Sequence, residues 1–147
     1  MRDIKFRGKE LGTGKWLYGD LEYSRLVNDN RCRIHCYDDK DGHYKWACDV
    51  DKATIGQFTG LRDKNGAKIY EGDIVECVSW NEYFSDGNGK PMEPFRRKMY
   101  VDFRKGGFKM VEPMPEPMND NEWDIIFDGD IVIIGNIYDN KELLTQK

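Results

Sequence analysis

Six side chains in this 147-residue chain bring metal-binding atoms close together in sequence: Cys32, Cys36 and Cys48, with Cys77 beyond them, and His35 and His43. Thiolate and imidazole are the usual ligands of tetrahedral zinc. The spacing argues against that use. Three residues separate Cys32 from Cys36, Cys48 follows at a distance, and no CxxC pair exists. If 31–37 and 43–50 are two arms of a hairpin turning about Lys40, Cys32 falls opposite Cys48. Cys36 then points to the same face, because strand side chains repeat every two residues. Three thiols on one hairpin face read first as small apolar groups packing a core. A zinc site through Cys32, Cys36 and Cys48 is the alternative; a disulfide ranks below it, because intracellular thiols stay reduced.

The other reactive groups give less. Asp38, Asp39 and Asp41 in DDKDG lack the spacing and distal glutamate of a calcium loop, so they read as a solvated turn. Glu71 and Asp73 flank Gly72, and Asp128 and Asp130 flank Gly129. Paired carboxylates do acid–base work when their environments separate their pKa values; turn formation explains these pairs more simply. Two histidines leave little for a nucleophile triad, and GNGK at 87–90 lacks the spacing and the Ser or Thr of a phosphate loop. No catalytic, cofactor or metal residues are assigned, and the chain reads as a non-enzyme. One interaction surface remains: Arg96, Arg97, Lys98, Arg104 and Lys105, near Phe95, Tyr100 and Phe103. Basic groups interleaved with aromatics on a β surface can grip single-stranded nucleic acid. They serve equally as a solvated strand edge, or as a contact for the acidic C-terminal third of a neighbouring subunit.

Strands must carry these residues. Residues 4–8, 16–21, 31–37 and 43–50 alternate or follow turn signals as half-buried strands do. Ile69–Val78 contains a Gly-Asp corner, Met99–Phe103 alternates, Gly106-Gly107 turns, and Phe108–Val111 pairs back. Ile131–Ile134 is apolar throughout and reads as buried on both faces. Residues 85–94 and 112–124 read as loops, the second an extended connection with Pro113, Pro115 and Pro117. Helix is confined to one or two short turns: KELLTQ, capped by Asp139-Asn140, and 80–84. The fold class is mainly β, a small β-barrel or sandwich of short antiparallel strands. We expect a single domain over 1–147, with N-terminal hairpins in 1–53 and a β core in 54–147. That core draws on Ile55, Phe58, Ile69, Ile74, Val75, Val101, Phe103, Ile131, Ile133 and Ile137. Phe127–Val132 echoes Tyr70–Val75, which we read as convergent turn chemistry.

Residues 54–75, TIGQFTGLRDKNGAKIYEGDIV, hold the densest turn signals. Gly56 and Gly60 break helix, Asn65-Gly66 favours a reversal, and Gly72-Asp73 bends the chain into a strand. This stretch resembles the signature of the YopX family, small proteins of phages and prophages. The resemblance extends to the opening strand, Arg2–Arg7, to Tyr18–Leu21, and to the closing stretch from Val132 to Leu144. It is weakest over 22–50 and 79–124. It implies a phage or prophage context and self-association, and it carries over no catalytic or ligand residues.

Composition sets the remaining bounds. Charged residues make up 34% and aromatics 13%, so the surface is polar while enough apolar surface exists for a core. No apolar run approaches the ~20 residues of a membrane helix, and MRDIKFRGKE has no apolar signal core. The chain reads as a cytoplasmic protein of a bacterial host, without membrane or small-molecule partners. The net charge of −4 is uneven: 106–147 carry nine acids and three bases. That balance speaks against a dedicated nucleic-acid binder. The expected function is a binding or assembly module that forms a homo-oligomer. A nucleic-acid-associated accessory protein is the first alternative, and a zinc protein the second.

Overall fold

The structure, a computed structural model, describes residues 3–26, 29–79, 95–124 and 131–145. It is mainly β, with two antiparallel sheets in two compact units. The first unit comprises 1–61 and 68–71; the second comprises 62–67 and 72–147.

The first sheet contains β1 (Phe6–Lys9), β2 (Trp16–Tyr23), β3 (Cys32–Tyr37), β4 (Tyr44–Val50), β5 (Gly56–Arg62) and β6 (Lys68–Tyr70). Their order across the sheet is β4-β3-β2-β1-β5-β6. β1 to β4 pair consecutively as hairpins, while β5 returns to pair with β1 and carries β6 on its other side. The sheet curls, because Glu10 bridges to Val50 and Leu11 N–H donates to Asp49 O at 3.1 Å. One bridge is no strand ladder, so the described residues form no closed barrel. The inner face holds Leu17, Cys32, Ile34, Cys36 and Val50, with Phe6, Leu21, Cys48 and Ile55 partly buried around them. A 3₁₀ turn at Lys52–Thr54, capped by the Asp51 carboxylate, leads into β5.

The second sheet contains β7 (Asp73–Ser79), β8 (Phe95–Arg104), β9 (Gly107–Glu112), β10 (Asn121–Asp124) and β11 (Ile131–Asn136), in the order β10-β9-β8-β7-β11. Ile74, Val75, Met99, Val101, Met110, Val111 and Ile131 are buried apolar residues of this sheet, and Asp73 at the start of β7 is buried beside them. Arg104 pairs with Gly107 across Lys105 and Gly106, at φ 53° and 81°. Positive φ at both loop residues gives a two-residue hairpin whose twist matches its strands. The reversal thus sits one residue before the expected Gly106-Gly107.

Other expectations are corrected. β11 is an edge strand with Val132, Ile133 and Ile134 only half buried, not a strand covered on both faces. Phe103 is 52% exposed, because it lies in the last pairs before the turn, where its ring packs edge-on against Phe108. Residues 112–124 are not one loop: β10 forms within them and pairs with β9. Asn140 does precede the C-terminal 3₁₀ turn, Lys141–Leu144, but makes no side-chain cap. Its Oδ1 instead accepts from Asn136 N–H at 3.3 Å. The expected turn at 80–84, the loop at 85–94 and the echo at 127–130 lie outside the described residues.

The turn 62–67 explains the middle of the glycine-rich stretch. Asp63 is 8% exposed, and its Oδ1 accepts from Asn65 N–H and Ala67 N–H, both at 2.9 Å. Its Oδ2 accepts from Ile133 N–H at 3.1 Å, while Lys64 N–H donates to Ile131 O at 3.0 Å. The turn therefore satisfies backbone groups on the open rail of β11, the role a neighbouring strand would play. Gly72, at φ 85°, then sends the chain into β7 through a conformation that costs a residue with a Cβ more.

Candidate interaction surfaces

The predicted basic surface lies on β8 and its turn. Arg96, with 66% of its side chain exposed, bonds Glu76 at 2.8 Å. Arg97 approaches Glu112 at 3.5 Å, and its guanidinium sits 5.1 Å from the centre of the Trp123 ring. Lys98 stands opposite Glu76 across β7 and β8. Arg104 donates to Asp102 at 2.8 Å, to Glu122 at 3.0 Å and to the Tyr100 hydroxyl at 2.7 Å. Lys105 bonds Glu122 at 2.8 Å. Strand pairing separates the five bases into two groups, one at each end of β8. Each group meets carboxylates from the adjoining strands.

These contacts shift the ionisation of their members. Asp102 and then Glu122 hold the Arg104 guanidinium protonated even more firmly than usual. Lys105 and then Arg104 hold the Glu122 carboxyl below its ordinary range. Four of the nine acids of 106–147, Glu112, Asp120, Glu122 and Asp124, pair within the same unit, Asp124 with Lys109. A phosphate chain gripping this surface would have to compete with carboxylates already in place. Beside the Arg96 end is a cleft of about 940 Å³, bounded by Arg96, Lys98, Pro113, Met114, Met118 and Leu144.

The cysteine hairpin forms with a different register. Cys32 stands opposite Val50, Ile34 opposite Cys48 and Cys36 opposite Trp46. Asp38 N–H donates to His43 O, Gly42 takes φ 70°, and a bulge follows between Cys36 and Tyr37. The turn and the bulge each move the pairing by one residue. Two steps preserve side-chain parity, so Cys32, Cys36 and Cys48 share one face although no two are opposed. Cys32 and Cys36 pack into the apolar core. Burial pushes the Cys36 and Cys48 thiols up, away from the thiolate form that metals bind. Among the described residues, no three Cys, His, Asp or Glu side chains converge as a metal-ligand group.

The opposite face of the first sheet was not singled out from the sequence. Arg7 is 5% exposed, with its guanidinium 4.6 Å from the Trp16 ring centre and 5.3 Å from that of Tyr70. It also donates to Glu71 O at 3.1 Å. Tyr70 continues the stack to Tyr18 at 5.4 Å and to Phe58 at 5.5 Å. On the sheet's other flank, Tyr37 stands opposite Tyr44, their rings 5.9 Å apart and edge to face, and His35 lies 6.0 Å from Tyr44. On this face Tyr18, Tyr37 and Tyr44 are each at least 40% exposed, whereas Tyr23 and Trp46, opposite Cys32 and Cys36, stand on the core side. A hairpin centred on Lys40 would set Tyr37 opposite His43, and the one-residue shift of the turn brings Tyr44 there instead.

Comparison with solved structures finds three matching chains. The crystal structure of protein EF1440 from Enterococcus faecalis is similar over 98% of this chain and 99% of that one, with a TM-score of 0.53 and 23% identity. At that identity the likeness concerns the fold. Comparison with curated proteins finds no match. No helix among the described residues is long and apolar enough to cross a membrane. The family model described as YopX protein matches residues 5–145, so it takes in both sheets, the turn that caps β11 and the C-terminal 3₁₀ turn. The chain belongs to the YopX family.

Proposed function

We propose that this protein is a non-enzymatic assembly module of phage or prophage origin, acting in the bacterial cytoplasm by association with further copies of itself. The observation that carries this reading is the exposed tyrosine set on one face of β2, β3 and β4: Tyr18, Tyr37 and Tyr44. Scattered exposed apolar residues need no explanation, but clustered ones mark interaction sites. Tyrosine and tryptophan are also the residues that interfaces concentrate, since each offers a large rigid apolar body with a polar handle. The phage origin is what the family resemblance implies, and the uneven charge of the chain supports association between copies.

Size-exclusion chromatography with light scattering, at low and at high salt, tests the reading. We expect a mass that is a defined multiple of 17.3 kDa. Weakening with salt would assign the contact to charge, and persistence in salt would assign it to the aromatic surface. A monomer at both salts overturns the proposal.

A further inference from the structure

The tip of the β3–β4 hairpin joins two features that seldom occur together on a surface without use. One is the aromatic group of Tyr37, Tyr44 and His35, with Tyr37 40% and Tyr44 57% exposed. The other is negative charge. Asp20 and Glu22 on β2 and Asp38, Asp39 and Asp41 in the turn lie on the strands and turn that carry these rings, against Lys40, Lys45 and Arg33, the last opposite Glu22. Asp20 stands opposite His35 across β2 and β3, and the His35 ring bonds Glu22 at 2.6 Å, which brings both carboxylates to the aromatic group. Lys45 occupies Asp38 at 2.8 Å. Among the described residues, neither Asp20 nor Asp39 has a Lys or Arg ion-pair partner. Aromatic faces bordered by carboxylates attract cations, through the ring quadrupole and through charge-assisted hydrogen bonds. An arginine satisfies both at once, because its planar guanidinium stacks while its edge donates.

The chain itself carries such a cation. Arg96 is the most exposed guanidinium of the predicted basic surface, and it bonds Glu76 through Nη1 alone. A guanidinium has five N–H donors, so Arg96 can keep Glu76 and still meet a second carboxylate. Arg97 and Lys98 follow it on β8. We propose that the acidic, tyrosine-bearing tip of the β3–β4 hairpin binds the basic start of β8 in a second copy of the chain. The proposal rests on the self-association reading and adds the two surfaces that meet. The two surfaces differ, so the contact is head-to-tail and builds rings or open chains, not an isologous dimer.

The test uses the full chain and compares masses by light scattering at low salt, with circular dichroism to verify folding. The variants are Tyr37→Ala with Tyr44→Ala, Asp39→Lys with Asp41→Lys, and Arg96→Glu. The tyrosine variant leaves the charge unchanged, which separates stacking from bulk electrostatics. We expect an oligomer for the wild type and loss to monomer mass for each folded variant. Mixing the Asp39/Asp41 variant with the Arg96 variant should restore a complex of at least two chains, since each retains the surface the other lacks. Folded variants that keep the wild-type mass overturn this pairing and leave self-association standing. Loss of mass without recovery on mixing also overturns it. A monomeric wild type overturns both readings.

Discussion

At the scale of single residues, Asp63 does the most for the second sheet. Three backbone N–H groups converge on its carboxylate: two from its own turn, and one from Ile133 on the open rail of β11. Removing the acceptor leaves those donors without a partner in a place where water is largely excluded. An unmet buried polar group costs about 1–3 kcal/mol. Asp63→Ala should therefore lower unfolding free energy by about 2 kcal/mol in urea titration. Asp63→Asn should fall between, since its amide nitrogen would confront Ile133 N–H with a second donor. A change below about 0.5 kcal/mol for Asp63→Ala, the usual range of a surface substitution, would show that water replaces the carboxylate without loss.

Between residues and elements, the ionic groups of β8, β9 and β10 give a pH dependence. The Glu122 carboxyl is held below its ordinary 4.5 by Lys105 first and Arg104 second. A folded-state pKa lower than the unfolded one contributes stability that is complete above the unfolded value and disappears as pH falls through the folded value. Stability should thus be flat above pH 4.5 with respect to this group, and should decline below it. Glu122→Gln should flatten part of that acid limb. It should not abolish it, because Asp38 beside Lys45 and Asp29 beside Arg31 are depressed as well. Urea midpoints measured from about pH 6 to about pH 3 decide the matter; parallel curves for the variant and the wild type would remove Glu122 from the account.

The elements also show what a sequence can display. β1 to β4 were legible because their residues alternate and their joints carry Gly, Asp and Asn. β10 was not, because Asn121-Glu122-Trp123-Asp124 has one apolar residue and no alternation. Its place is set by partners distant in sequence: Trp123 against Arg97, Glu122 against Arg104 and Lys105, and Asp124 against Lys109. The same limit applies to the hairpin register, which a turn shift and a bulge moved by two residues without altering which side chains face inward. Ile131–Ile134 looked like a central strand because composition reports apolarity, not which neighbours cover it. The basic surface was visible in the sequence as a run of charge. Apart from Asp102 on β8 itself, the carboxylates that meet it come from β7, β9, β10 and the loop before β10, and only folding brings them there.

At the scale of the whole molecule, the chain is interleaved. It leaves the first unit after residue 61, returns at 68 and leaves again after 71. The turn 62–67 is therefore held at both ends by β5 and β6, while Asp63 and Lys64 satisfy the rail of β11. Unfolding β5 and β6 frees the ends of that turn and with them the geometry that aims Asp63 at Ile133. Unfolding β11 removes the partners that fix the turn. The two units should accordingly lose structure together. Hydrogen exchange monitored by mass spectrometry along a urea series reads each separately, with peptides from β1–β4 for one and from β7–β9 for the other. We expect coincident midpoints in the wild type, and a common shift in Asp63→Ala. Two separate transitions, with Asp63→Ala moving only the second, would show that a shared covalent turn is too weak a link to couple them.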